Sequence, residues 1–381
     1  MRVGILTFQF SDNFGALLQA YALRRWFTDR GHDAEFIAYH PTHVEEGGSL
    51  RLSLSPAAFK SNAKTLYLKS TAFLHQHFGN KDQARRFARF RQEQLGITGS
   101  PLRERQELVE AAGHYDLIVA GSDQIWSPSV QYGFDPAYFL EFAKDARVRR
   151  ISYAASFGRD TLGADQITAL GPLLRPLSSI SVRELSGVDI VRQASGRDAA
   201  CVPDPTLLHE QYDQLLAGAS SGQEGHVFCY ALRTAEVIRE VAEGAARMTG
   251  TPILSPYNVH RRWREIGQTV HPGPAEWVSH LANASFVVTN SFHGTVFSIL
   301  FRKPFLVAEL PGSRVAMNAR SRNLLSQLDL MDRFVRKEDL PRLDELLARP
   351  IDWDAVEAKQ QGLREVGSSF LAHEVAQVEN G

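Results

Sequence analysis

Short apolar runs that break into polar turns and resume as helical patterns recur along this 381-residue chain, and residues 286–301, FVVTNSFHGTVFSILF, show the pattern most sharply. Phe286, Val287 and Val288 make the continuous apolar run of a strand buried on both faces. Val296, Phe297, Leu300 and Phe301 fall on one side of a helix. The break between them is a strand-to-helix turn. In an open parallel sheet such turns lie at the carboxyl ends of the strands, where ligands bind. Thr289, Asn290, Ser291, His293, Gly294 and Thr295 then crowd a helix N-terminus, whose backbone N–H groups attract anions. A plain helix cap at Asn290 or Ser291, with His293 filling space, accounts for the same residues equally well.

The pattern starts at the N-terminus. Val3–Phe8 reads as a strand, FQFSDNFG as a loop, ALLQAYALRRWFTDRG as a helix with Leu17, Leu18, Tyr21 and Ala22 on one face, and AEFIAY as a second strand. This is a β-loop-α-β unit without a Gly-x-Gly-x-x-Gly loop, so an ordinary dinucleotide fingerprint is absent. YDLIVAGSDQIW, RISYAAS and SISVRE are further strands that end in polar residues. In ACVPDPTLL two prolines bracket Asp204, which suits a crossing between domains better than a strand interior. A second alternating set follows from HVFCYAL onward. The length exceeds that at which one core usually keeps growing. The expectation is an α/β chain of two Rossmann-like domains facing across a cleft: an N-terminal one over 1–208 and a C-terminal one over 225–381.

Residues 43–100 interrupt the alternation. From Pro56 to Leu95 there are eight basic residues (Lys60, Lys64, Lys69, Lys81, Arg85, Arg86, Arg89 and Arg91) against Asp82 and Glu93. Aromatic and aliphatic residues are interleaved with them, as in an amphipathic helical insertion. Its basic side is either a solvated face or a surface for anionic lipid headgroups or a diphosphate-bearing acceptor, which would make the protein a peripheral membrane visitor. Elsewhere charge gives no such lead. With net charge -1 and a pI near 6.9, no global field recruits nucleic acid. The two cysteines, Cys201 and Cys229, have neither the number for a disulfide scaffold nor the spacing for a structural zinc site. The first residues turn polar at Gln9 and offer no leader cleavage site. A cytoplasmic location, at most at the inner face of the membrane, is expected.

DNFGALLQAYAL, AGSDQIW, SVRE, DPTLL, GPAEWVSHLANASFVVTNSFHGTVFSILFRKPF and NARSRNLLSQL occur in the order seen in the polysaccharide pyruvyl transferase family, which this chain resembles over nearly its whole length. The resemblance implies a GT-B-like fold and transfer of a pyruvyl group from phosphoenolpyruvate to two hydroxyls of one sugar. The product is a cyclic pyruvate ketal on a polysaccharide or lipid-linked oligosaccharide precursor. It implies no metal and no cofactor beyond the donor substrate. Arg183 in SVRE and His293 in NSFHG match residues the family uses at the donor site. Many members carry Arg two residues before that histidine, where this chain has Ser291. Arg302, Arg314, Arg320 and Arg322 are candidates for the missing charge.

The chemistry asks for such residues. Phosphoenolpyruvate carries a carboxylate and a phosphate, and the planar fork of Arg183 suits either. Its methylene must gain a proton, which needs an acid, and the sugar hydroxyls must lose theirs, which needs a base. His293 is the candidate acid, or only a phosphate ligand. Asp123 is the candidate base. Asp12, Asn13, Ser122 and Gln124, on strand-end loops, suit hydrogen bonds to sugar hydroxyls, although turn and cap chemistry explains each of them singly. A nucleotide-sugar glycosyltransferase of the same architecture, or a catalytically silent carbohydrate-binding relative, are the alternatives the sequence leaves open.

Overall fold

In the computed structural model, the described residues are 1–41, 43–44, 59, 62–63, 65–66, 70, 80–145, 147–217, 219, 225–257, 266–310 and 312–380. They form two compact units. The first comprises Met1–Leu208 with Gly367–Gly381, and the second comprises His209–Val366.

The sheet of unit 1 has six parallel strands in the order β2-β1-β3-β4-β5-β6. They are β1 (Arg2–Leu6), β2 (Asp33–Phe36), β3 (Leu117–Asp123), β4 (Arg149–Ala155), β5 (Ser181–Val182) and β6 (Ala200–Cys201). Val3–Leu6 of β1 lies beside Leu117–Ala120 of β3, and every one of those side chains is buried, as a sheet covered on both faces requires. Five helices cover it: α1 (Phe14–Thr28), α2 (Lys81–Glu93), α3 (Arg105–Ala112), α4 (Ala164–Leu174) and α5 (Leu185–Ser195). Asn13 caps α1 by accepting the Ala16 N–H at 3.2 Å. Leu17, Leu18, Tyr21 and Ala22 are buried as expected, but so are Phe14, Leu23, Trp26 and Phe27, which makes α1 an interior helix rather than an amphipathic one.

Of the expected basic insertion, α2 is described. Its Phe87 and Phe90 are buried, with Phe87 5.1 Å from Phe14 and Phe90 6.1 Å from Tyr21 between ring centroids. Lys81, Arg85, Arg86 and Arg89 are exposed. Lys60, Lys64 and Lys69 lie outside the described residues.

The sheet of unit 2, also six parallel strands, runs β12-β11-β10-β7-β8-β9. Its strands are β7 (Val227–Tyr230), β8 (Ile253–Pro256), β9 (Gln268–Val270), β10 (Phe286–Thr289), β11 (Phe305–Ala308) and β12 (Phe334–Val335). Around it run α6 (Glu236–Thr249), α7 (Pro274–Ala282), α8 (Phe292–Leu300), α9 (Asn318–Gln327), α10 (Leu343–Ala348) and the start of α11 (Trp353–Glu379).

The end of the chain departs from the expected domain over 225–381. From Gly367 on, α11 belongs to unit 1. The reason is a set of contacts no local pattern announces. Trp26 Nε1 donates to Ser368 Oγ at 3.1 Å, Arg149 Nε donates to the buried Glu374 carboxylate at 2.7 Å, and Phe370 packs on Tyr153. Gly367 carries no side chain because a Cβ there would meet the Tyr153 hydroxyl at 2.5 Å.

Candidate functional site

Each sheet has one point where the winding reverses. In unit 1, β1 leads through α1 to β2 on one side, and β3 begins the strands on the other. In unit 2, β7 leads to β8 and β9, and β10 begins the opposite half. The carboxyl ends of the two strands flanking a reversal splay apart and leave a crevice, which is where open α/β sheets take ligands. The sequence-expected residues fall at both points.

In unit 2 the turn between β10 and α8 is tied to the end of β7. Thr289 Oγ1 donates to Tyr230 O at 2.8 Å and accepts the Ser291 N–H at 3.0 Å. Asn290 spans the reversal, its Oδ1 accepting the Leu232 N–H at 2.7 Å and its Nδ2 donating to Arg233 O at 2.8 Å. Ser291 is the N-cap of α8, taking the Gly294 N–H at 3.4 Å. Thr295 Oγ1 donates back to Ser291 O at 3.0 Å. Gly294 is needed for close approach, because a Cβ would lie 2.2 Å from Thr289 Oγ1. His293 follows in the first turn of α8, 7% exposed, with its ring edge-on to Phe292. Burial pushes the Tyr230 phenol well above its ordinary value, against the smaller opposite effect of its hydrogen bond with Ser291, so it stays protonated. No acidic residue lies in the segment from Thr289 to Thr295.

The arginines proposed to replace the missing one are placed differently from one another. Arg302 follows the far end of α8 and pairs with Asp354 and Glu357. Arg322 is exposed, its guanidinium 5.9 Å from the Phe334 ring centroid. Arg320 is buried in α9, which packs beside α8. The side chain of Arg314 lies outside the described residues. Arg233, which sequence reasoning passed over, stands at the end of β7 with its carbonyl held by Asn290. Its only sequence signal is a cation directly after a buried strand.

In unit 1 the end of β3 is fixed more tightly. Gly121 has φ 130°, and a Cβ on it would lie 2.1 Å from Tyr153 O, so only glycine fits. Ser122 is fully buried. Its N–H donates to Gln19 Oε1 at 3.0 Å, its carbonyl accepts from Thr7 Oγ1 at 3.1 Å, and its hydroxyl donates to Ala154 O at 2.9 Å. Asp123 takes the left-handed φ of 73°, and its carboxylate accepts the Gln124 N–H at 2.8 Å. Next to it lies Arg183, 4% exposed. Nη1 meets Asp204 Oδ2 at 2.6 Å, Nε meets Glu184 Oε1 at 3.1 Å, and Nη2 stands 4.0 Å from Asp123 Oδ1. Asp204 is itself held by Ser122 Oγ at 3.3 Å and by the N–H and hydroxyl of Thr206. Ser156 Oγ donates to Glu184 at 2.9 Å. Burial opposes the charge on Arg183, but Glu184, then Asp204, then Asp123 outweigh it and hold the guanidinium well above its ordinary value.

Several expected sugar-binding residues are thus occupied by the protein itself. Ser122 faces inward and Asn13 is a helix cap. The Asp12 carboxylate accepts from Arg91 Nη1 at 2.7 Å, and a Cβ on Gly158 would meet Gln124 Oε1 at 2.5 Å. Gln19, Ser156, Glu184 and Asp204, which complete the cluster, were not singled out for it in the sequence. Among the described residues, no group of three or more His, Cys, Asp or Glu side chains is arranged to hold a metal ion. No helix among them is long and apolar enough to cross a membrane.

Two doubly wound parallel sheets, each with a polar turn at its reversal point, define an α/β protein of the two-unit, ligand-at-the-strand-ends class. Residues 13–309 match the model of the polysaccharide pyruvyl transferase family, and the chain belongs to that family of transferases. No curated protein matches it. Similar solved structures include a UDP-GlcNAc 2-epimerase of Methanocaldococcus jannaschii bound to UDP-GlcNAc and UDP, 12% identical over 94% of this chain and 98% of that one, TM-score 0.46. Another is S. aureus MnaA with UDP, 8% identical over 100% and 97%, TM-score 0.48. A third is Anabaena HepE with UDP and glucose, 12% identical over 99% and 100%, TM-score 0.47.

Proposed function

We propose that the protein transfers the pyruvyl group of phosphoenolpyruvate to two hydroxyls of one sugar in a polysaccharide or lipid-linked precursor, closing a pyruvate ketal. The family match over residues 13–309 carries this reading. The buried turn at the reversal of unit 2 supports it: a helix start with no carboxylate in the segment, hydroxyl and amide groups, and one imidazole is suited to a small polyanion. The atoms balance as follows. One sugar hydroxyl adds to C2 of the enol and C3 takes a proton to become a methyl group. The second hydroxyl then adds to C2 as the C2–O bond to phosphate breaks. Of the two hydroxyl protons, one is accounted for in the methyl and the other in the released phosphate. His293 supplies the C3 proton or, as the alternative role, binds the phosphate.

In deuterated water the product methyl should acquire one deuterium, with inorganic phosphate appearing in step with ketal. Release of a nucleotide and no label would make the enzyme a glycosyltransferase instead. Product that keeps its enol methylene would mean simple enolpyruvyl transfer. His293→Ala should slow the labelled reaction by ~10²–10⁴-fold if the imidazole is the acid, whereas a phosphate ligand would show its loss mainly in donor affinity.

The same reading assigns the exposed cations of α2, Lys81, Arg85, Arg86 and Arg89, to contact with the anionic face of a membrane that carries the acceptor, inside the cell. Reversing Arg85 and Arg86 to Glu should weaken binding to phosphatidylserine vesicles and leave turnover on a soluble acceptor intact. Wild-type protein that ignores such vesicles at low salt would make that face merely solvated.

A further inference from the structure

Resting on that reading, we infer that Arg183 is a positioning residue for Asp123 on the acceptor side of the reaction, and that it does not grip the donor. Three observations lead there. The first is occupancy. Two arms of the guanidinium are already spent on buried carboxylates, at 2.6 Å on Asp204 and 3.1 Å on Glu184. Turning Nη1 toward a substrate anion would strand the Asp204 carboxylate, whose side chain is 0% exposed.

The second is sign. One guanidinium faces three carboxylates, so the cluster carries two negative charges in excess. A field of that sign repels a phosphate that also bears a carboxylate, and it favours a neutral hydroxyl about to lose a proton.

The third is aim. Asp204 is sealed inside, while Asp123 is the member at the end of β3 beside the reversal. Its left-handed backbone and the fixed peptide before it, pinned by Gln19, Thr7 and Ala154 through Ser122, give its carboxylate one heading. Arg183 Nη2, 4.0 Å away, is the cation that orients it. In the step itself Asp123 takes the proton of the attacking sugar hydroxyl as that oxygen bonds to C2. Arg183 touches neither reactant.

A double-mutant cycle on the whole chain tests this, with phosphoenolpyruvate titrated calorimetrically and turnover followed by phosphate release. Asp123→Asn should lower kcat by ~10²–10⁴-fold, as for a lost base, with donor affinity unchanged or tighter. Arg183→Lys should lower kcat by on the order of 10²-fold, as for a misplaced group, with the dissociation constant for phosphoenolpyruvate within twofold of wild type. The pair together should be no slower than Asp123→Asn alone, because Arg183 acts only through Asp123. A tenfold or greater loss of donor affinity in Arg183→Lys overturns the inference, as does a double variant whose losses multiply. Should Arg183→Lys fail to fold, Asp123→Asn decides the matter, and unchanged kcat there overturns it. If wild-type protein binds no phosphoenolpyruvate but turns over another donor, the proposed function fails, and the same cycle run with that donor still reads the coupling.

Discussion

The ends of β3 and β10 occupy equivalent places in their sheets, yet they are built from opposite materials. At β10 the turn is neutral: Thr289, Asn290 and Ser291 satisfy backbone groups with hydroxyls and an amide, and His293 is the one titratable side chain among them. At β3 the geometry is held by charge, with Arg183 fixed among Asp123, Glu184 and Asp204. A neutral frame at a helix start leaves the backbone N–H dipoles as the local field, which is positive. A frame with surplus carboxylates is negative. Two crevices of the same topology are therefore fitted to reactants of different charge, and the side chains that close each turn decide which.

The contrast predicts a difference in tolerance. Gly121→Ala forces a side chain onto the Tyr153 carbonyl at a φ that suits glycine alone, and it should cost ~4 kcal/mol or more, enough to lose the fold of unit 1. Gly294→Ala meets the Thr289 hydroxyl, a group that can turn away, and should cost about 2 kcal/mol. Urea unfolding measures both, and equal losses would erase the distinction between a rigid and a yielding turn.

Within unit 2, Asn290 spans the reversal with two hydrogen bonds whereas Ser291 only caps. Asn290→Ala should destabilise by about 2 kcal/mol and Ser291→Ala by about 1 kcal/mol. The reverse order in the same measurement would make the cap, not the strap across the strands, the element that shapes the turn.

The smallest effect reads the field of unit 1 directly. Cys201 on β6 has its thiol pushed up to about 11, by burial first and by Glu184 second. Its thiolate is populated only as pH approaches that value, so alkylation by iodoacetamide at pH 8 should run on the order of 10²-fold slower than for a free cysteine. Glu184→Gln should speed it modestly. No change on that substitution would argue that burial alone acts there and that the carboxylates project little field.

The long apolar runs and turn residues made α1, β3, β7 and the β10–α8 turn readable from the sequence, because each is specified by neighbours in the chain. β6, β9 and β12 were not readable. Two are only two residues long, and the third, Gln268–Val270, is polar and half-exposed, so each exists through the strand it pairs with. The candidate site divides the same way. Asn290, Ser291 and Gly294 were visible as turn chemistry, since their partners lie close in sequence or on the adjoining strand. Asp204 reads only as a residue between prolines until its partner 21 positions earlier is known, and the bond from Ser122 to Gln19 spans 103. Charge clusters assembled from distant strands leave no periodicity to find.

The return of α11 to unit 1 sets a timetable for synthesis. A ribosome finishes residues 1–208 long before it reaches Ser368, Phe370 and Glu374. Through that interval Arg149 lacks its carboxylate partner and the Trp26 indole its hydroxyl. The N-terminal unit therefore emerges first and is completed last, and the final turns of the nascent chain act as the latch that closes it.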